Sequence, residues 1–309
     1  MNKVKSVPGT AGKKGNRTMF KQKTNIKMKA LTAFLIICSV SGSFSTVNTF
    51  AEEAAVAEEA SSIEALEKEK LEGEGYATPE DAVAVYVNGL VDNDIDEMLS
   101  AFAVETFVDN YSLEKTVEWR RAYWSTIWEY VPGVSNFARE INIENRRFEI
   151  INMIKSHYIV LTSTDKFIEG GLSTRYILDN EYENGKDLID SLYHVDDLAY
   201  VSGMHYNREF IAPERMTSSY LSEIVQKKLT ERASQINADE IRAAVTVFYR
   251  GSETFVLAVD CVKYGEKWFV YTTQGVVGSL LGIDTSFFGL FPLREYSLDE
   301  MFAELDGQN

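Results

Sequence analysis

Apolar residues recur at spacings of three, four and seven in the first half of the chain, and at spacings of two in its last quarter. The first pattern is that of helices with one buried face, the second that of strands. Thr78-Pro79-Glu80-Asp81 reads as a helix start. Thr suits the N-cap, Pro the first turn, and the acids complement the helix dipole. Ala82, Val83, Tyr86, Val87 and Leu90 then share one face, and Asp92-Asn93-Asp94 breaks it. Ile95, Met98, Leu99 and Phe102 mark a short second helix over 95–102. Ser112 can cap a third helix over 112–130, stopped by Pro132-Gly133 and carrying Trp119, Tyr123, Trp124, Ile127, Trp128 and Tyr130. A fourth is expected over 136–161, with Phe137, Ile141, Phe148, Ile151, Ile154 and Tyr158 as its apolar positions. The third and fourth are expected to form a long antiparallel helical hairpin.

The pattern shifts near Gly170. Segments 173–178 and 200–208 read as short strands around a helix at 186–192, and 219–234 reads as a helix. Residues 241–250, 255–262 and 268–273 alternate with period two, separated by Arg250-Gly251-Ser252-Glu253 and Tyr264-Gly265-Glu266-Lys267. This predicts a three-stranded antiparallel meander. Its middle strand sets Phe255, Leu257, Val259 and Cys261 on one face and Val256, Ala258, Asp260 and Val262 on the other. The apolar run Phe287 to Leu293 is expected to close the core rather than form an exposed contact patch. The fold class is therefore α+β over 76–309: a helical part at 78–165, a sheet-rich part at 170–285 and a tail at 286–309.

The first 51 residues belong to a different pattern. Nine Lys/Arg and no acid precede an apolar run at 30–40, then small polar residues, with Thr49 and Ala51 placed as a cleavage site requires. Basic, apolar and small-residue regions in that order predict a secretory signal peptide, with export to the medium or the cell surface. Retention of 30–51 as an uncleaved membrane anchor is the alternative. Residues 52–75 are rich in Glu, Ala, Ser and Lys and are expected to form an acidic disordered spacer.

Charge and cysteine count narrow the function classes. The leader holds nine of the 31 basic residues and none of the 47 acidic ones, so the remainder carries a net −25. That field repels phosphate backbones and excludes nucleic acid as the natural partner. Cys261 is the sole cysteine after the leader, so no internal disulfide is expected, and its strand position suits a small buried hydrophobe. No nucleophile elbow, P-loop, dinucleotide fingerprint, Cys-x-x-Cys or EF-hand loop occurs.

Two stretches carry a family resemblance. Thr78 through Leu99, with its capped helix, Asp92-Asn93-Asp94 break and short second helix, resembles the opening of the NTF2-like (SnoaL-like) superfamily. The meander ending Tyr264-Gly265-Glu266-Lys267-Trp268-Phe269-Val270 is similar to that fold's last strands. The Lys-rich leader without disulfides resembles exported proteins of Gram-positive bacteria. The resemblance implies helices packed on a curved antiparallel sheet, an NTF2-like cone, here with a large central insertion. If the Asp260 face lines the cone, the resemblance also implies that Asp260 stands where isomerases of the superfamily keep a general base, with Tyr86 or Tyr271 as partner; on a solvent-side face it would be an ordinary outward polar residue.

Candidate chemistry is sparse. Trp124 and Trp128, with Tyr86 and Tyr271, are the candidate ligand-binding aromatics. His194, Asp196 and His205 are the residues from which a metal site could be built, but their spacing matches no zinc motif, and no metal or cofactor is expected. His157 is expected in the core. These residues point first to an exported, non-enzymatic domain that binds a small apolar ligand or a surface protein. An NTF2-like isomerase or dehydratase using Asp260, and a structural surface module, are the alternatives.

Overall fold

Helix starts in this chain are written in side-chain acceptors. The computed structural model describes residues 70–121, 130–133, 135–170, 174–195, 202–281, 287–293 and 298–300, all within the unit Glu67–Asn309. Helix α1 (Pro79–Asp92) is capped by Thr78, whose Oγ1 accepts the Asp81 N–H at 3.1 Å, and ends on Asn93 in the left-handed region. The Asp94 carboxylate accepts the N–H groups of Asp96 and Glu97 to start α2 (Ile95–Ser100). Helix α3 (Glu105–Asn110) was not visible in the periodicity. Its N-cap, Val104, offers no acceptor. The need is met from far along the chain: the Glu72 carboxylate accepts from Val104 N and Thr106 N, both at 2.9 Å. In return, Glu105 accepts from Leu71 N and Glu72 N. The spacer expected over 52–75 is thus part of the fold from Leu71 onward, because helix N-termini need acceptors and these two buried carboxylates exchange them.

Among the described residues the expected helical hairpin does not form. Ser112 does cap a helix, α4 (Leu113–Arg120), but it ends at Arg121 in the left-handed region and packs on the later helix that starts at Glu223 rather than on the fourth predicted helix. Trp119 is 54% exposed and donates to Glu231. Trp124 and Trp128 lie outside the described residues. Helix α5 (Asn136–Thr162) has the predicted extent, but of the predicted apolar face only Ile154 is buried, and a largely different side turns inward. Ala138, Asn142, Arg146, Ile150, Met153 and His157 are buried, while Phe137, Phe148 and Tyr158 are exposed. The reason is that its inward polar residues all find partners, which removes the cost that would keep them outside.

Short helices α6 (Asp165–Gly170) and α7 (Gly185–Leu192) follow, and residues 174–178 form no strand. Strand β1 (Met204–Ile211) lies a few residues later than expected and carries a register shift, with Arg208 at φ 55°. After a one-turn helix, α8 (Pro213–Met216), the helix expected over 219–234 is divided. A 3-10 turn (Ser218–Leu221) precedes α9 (Glu223–Gln235), which Ser222 caps. The meander is as the alternation predicts: β2 (Glu240–Arg250), β3 (Glu253–Tyr264) and β4 (Lys267–Thr272). Helix α10 (Val276–Leu280) and β5 (Leu290–Leu293) complete the described part, so the run Phe287 to Leu293 does enter the core.

The architecture is α+β, with helices on a five-stranded antiparallel sheet. Strand β3 is central. Its full length pairs with β2, while its other edge is shared: Thr254 to Leu257 pair with β5, and Asp260 to Tyr264 pair with β4. The chain between β4 and β5 therefore leaves and returns beside Ala258–Asp260. Gly289, at φ 78°, sits where a side chain would strike the carbonyl oxygens of Ala258 and Thr273.

Both faces of the sheet are covered. Phe255, Leu257, Val259 and Cys261 join Ala244, Phe248, Trp268 and Val270 in a core under α1 and the inner face of α5. Val256, Ala258 and Val262 join Val245, Val247, Phe269 and Tyr271 in a second core under α9. Cys261 is fully buried on the face the alternation gave it. No helix among the described residues is long and apolar enough to cross a membrane.

Candidate functional site

Asp260 sits at the point where the β3 edge changes partner, beside a register shift. It is fully buried and shares the α9 side of the sheet with Val256, Ala258 and Val262. Its carboxylate accepts the Val276 N–H, with Oδ1 at 3.1 Å and Oδ2 at 3.3 Å, at the start of α10. Arg232 of α9 approaches Oδ2 at 4.0 Å. Burial pushes the carboxyl up to about 6, opposed by the Arg232 charge and the Val276 N–H. Gly275 is packed so closely on Asp260 that a side chain there would meet its carboxylate. Asp260 is therefore placed to hold the β4–α10 turn.

A second fully buried titratable group lies across the sheet. His157 of α5 is fully buried, with Nδ1 at 2.6 Å from the Tyr86 hydroxyl and Nε2 at 2.8 Å from the Phe288 carbonyl oxygen. A carbonyl only accepts, so Nε2 carries the proton and Tyr86 donates to Nδ1. Burial lowers the imidazole to about 4, against the favourable Phe288 contact, and raises the Tyr86 phenol. Both nitrogens are satisfied, so this histidine ties α5 to the turn before β5, where Phe288 has φ 51°.

A cavity of about 380 Å³ opens on the α9 side between α5, α3, the end of β4 and α9. Five rings wall it: Phe107 and Tyr111 at α3, Tyr130, Tyr271 of β4, and Phe288 before β5. Phe107 stacks on Tyr271 at 5.7 Å and lies 5.4 Å from Tyr130, while Tyr111 and Tyr130 approach to 4.5 Å. Helix α5 supplies Arg146, Glu149, Asn152 and Met153, successive steps along one of its sides. The Arg146 guanidinium lies 4.4 Å from the Phe107 centroid, a cation–π contact. It donates to the backbone oxygens of Ala103 and Tyr271 and to Glu149 at 3.2 Å. The Tyr130 hydroxyl donates to the same Glu149 oxygen at 2.9 Å. Arg232 lies 5.0 Å from the Tyr271 centroid and reaches back to Asp260.

The result is an aromatic-walled cavity whose charges are compensated in pairs, Arg146 with Glu149 and Arg232 with Asp260. Asn152, Thr272 and Gln274 supply neutral hydrogen-bonding groups. No histidine, cysteine, serine, lysine or aspartate is among its described lining residues. Such a wall can bind and orient a ligand.

Of the residues singled out in the sequence, Tyr271 lines this cavity and Asp260 lies behind its Arg232. Tyr86 stands on the opposite face of the sheet, with its hydroxyl given to His157, so it joins neither. The reason is β-sheet alternation: Tyr86 packs with Cys261's face, Tyr271 with Asp260's. His205, on β1, stacks on Tyr249. His194 follows α7, its N–H donated to Thr162. Asp196 lies outside the described residues, and no three His, Cys, Asp or Glu among the described residues gather as metal ligands would. Sequence reasoning missed Arg146, Glu149, Phe107, Tyr111 and Arg232. The row Arg146, Glu149, Met153 at helical spacing was the available signal, a polar pair on the side of α5 away from Phe137 and Phe148.

No family model matches the chain, and no curated protein matches it either. Among solved structures it is similar to a cystatin-like protein from Ruminococcus gnavus ATCC 29149, with a TM-score of 0.34 and 13% identity. The similarity covers 62% of this chain and 39% of that one, so it spans less than half of that protein. At this level it bears on neither activity nor partner.

Proposed function

We propose that this chain is an exported, non-enzymatic binding domain that takes a small ring-containing ligand in the cavity walled by Phe107, Tyr111, Tyr130 and Tyr271. The ligand is apolar on its faces and polar at its edge. The observation that carries the reading is the convergence of five aromatic rings on a cavity of about 380 Å³, with neutral polar groups among them and charges already paired. Ligand cavities have this composition and size. Aromatic faces favour flat apolar surface, and Asn152, Thr272 and Gln274 favour hydroxyl or carbonyl groups at its rim. Paired charges give no reason for a strongly ionic ligand.

Export rests on the basic, apolar and small-residue order of the first 51 residues. An NTF2-like cone is supported by the way α1 and α2 meet the meander: Tyr76 bridges to Trp268 and Phe102 to Val270. The enzymatic alternative draws support from the raised Asp260 carboxyl, as a general base requires. Against it stand the burial of that carboxylate and its engagement with the Val276 N–H.

A thermal-shift screen of the full chain against phenolic, indolic and steroid-like compounds tests the reading. Stabilisation by one of these classes is expected, lost in Tyr111→Ala and kept in Asp260→Asn. Loss in Asp260→Asn together with turnover of a hit compound would favour the enzyme instead. No hit in any class would leave the cavity reading without support.

A further inference from the structure

Helix α5 has a second feature that the cavity does not use. Along the side that carries its exposed residues, Phe137, Ile141, Glu144, Phe148, Ile151, Lys155 and Tyr158 follow one another at alternating spacings of four and three, with Ile151 partly buried against the α1-side core. Phe137 is 72% exposed, Phe148 64%, Tyr158 51% and Ile141 38%. A four-three alternation is the repeat of a two-helix seam, in which each such residue packs between residues of a facing helix. The stripe runs for about 32 Å at 1.5 Å per residue. Five of its seven residues are large and apolar.

The flanking charges are ordered along it. Glu140 and Glu144 stand in the N-terminal half, Arg147 and Lys155 in the C-terminal half, all exposed. A facing helix of the same sequence laid parallel would set Glu beside Glu and Lys beside Lys. Laid antiparallel, it sets opposite charges together.

We propose that a second copy of this chain packs on this stripe, helix against helix, antiparallel across a twofold axis. The axis passes at Phe148, which meets the partner's Phe148. Phe137 then meets the partner's Tyr158, and Glu144 lies beside the partner's Ile151. Glu140 faces the partner's Lys155 at each end, because a twofold axis makes every contact twice. The Lys155 stem covers the partner's Ile141 while its ammonium reaches outward. Each protomer contributes one helix, less than a standard stable interface, so the dimer is reversible and its population depends on concentration. Glu149 and Arg146 point away from the stripe to the cavity, so the cavity stays open in the dimer.

Sedimentation velocity of the full chain over a concentration series tests this. The wild type is expected to pass from monomer to dimer in the micromolar range, and Phe148→Glu to remain monomeric with an unchanged melting temperature. Glu140→Lys and Lys155→Glu should each weaken the dimer roughly tenfold, since each exchanges two attractions for two repulsions. The double variant Glu140→Lys/Lys155→Glu should recover wild-type association. A dimer that Phe148→Glu leaves intact would overturn the proposal, as would charge reversals whose effects add without recovery. A wild type that stays monomeric would overturn it too. In that case a lowered melting temperature in Phe148→Glu would show the stripe to be covered by the chain itself.

Discussion

On the α1 side of the sheet, Tyr86, Phe102, Phe248, Phe255, Leu257 and Ile150 are all fully buried in one core cluster, and the histidine beside them has both nitrogens satisfied. On the α9 side, Phe107, Tyr130 and Tyr271 are buried too, yet they stand around a cavity instead of filling it, with Arg146 and Glu149 between them. The two sides use the same materials: aromatic rings, buried titratable groups, and a helix laid along the sheet. They differ in whether the polar groups are consumed within the packed core or also present surface to a void. A face whose polar groups are all consumed internally serves the fold. A face that keeps rings and amides around open space is built for something to enter it.

Truncation should separate the two sides most strongly. Phe255→Ala removes a fully buried ring stacked on Phe248 and should cost about 3–5 kcal/mol in chemical denaturation. Tyr111→Ala, on the cavity wall and only part-buried, should cost about 1 kcal/mol or less. Equal costs would mean that the cavity wall is as much a part of the packed core as the closed face.

Asp260 and His157 provide a second contrast. The Asp260 carboxyl is raised from 3.8 to about 6. Between those pH values the folded chain keeps a proton the unfolded chain has released, so stability falls as pH rises through that window. The His157 imidazole is lowered from 6.5 to about 4. There the unfolded chain holds the extra proton, so stability rises with pH from about 4 to 6.5. The two slopes oppose each other in the wild type. Asp260→Asn should therefore add a rising slope of about 2–3 kcal/mol over this window, and His157→Gln a falling one of similar size. Urea denaturation at a series of pH values reads both. Unchanged slopes in both variants would show that neither group is held as its surroundings imply.

A smaller effect is expected from Tyr86→Phe. It removes only the hydroxyl that donates to His157 and leaves a buried ring nitrogen without a donor, at a cost of about 1–2 kcal/mol. The same deletion at Tyr111 should change stability by less than about 0.5 kcal/mol, since its ring is part-buried at the cavity.

Much of the sheet was legible because the meander carries its own punctuation: Gly251 and Gly265 at positive φ, and strict alternation between them. The alternation also placed Cys261 and Asp260 on opposite faces. It could not show that both faces are covered, since Val, Ala and Phe occur on each. Helix α5 was legible in extent and misread in orientation. Apolar periodicity assigns Phe137 and Phe148 to the inside, and it has no means of knowing that Asn142, Arg146 and His157 find acceptors and donors there. The Glu72–Glu105 exchange and the Arg146 site were hidden for a related reason. Each joins residues more than 30 positions apart, and no local spacing records that.

The central claim is that the aromatic-walled void is a binding site, and fluorescence of anilinonaphthalene sulfonate on the native protein tests it most directly. The titration belongs in a Phe148→Glu background, which removes the apolar stripe of α5 as a competing surface. Dye that saturates at one site per chain, and is displaced when Asn152→Trp fills the void, is the result expected from this account. Dye fluorescence that is absent, or that Asn152→Trp leaves unchanged, would contradict it.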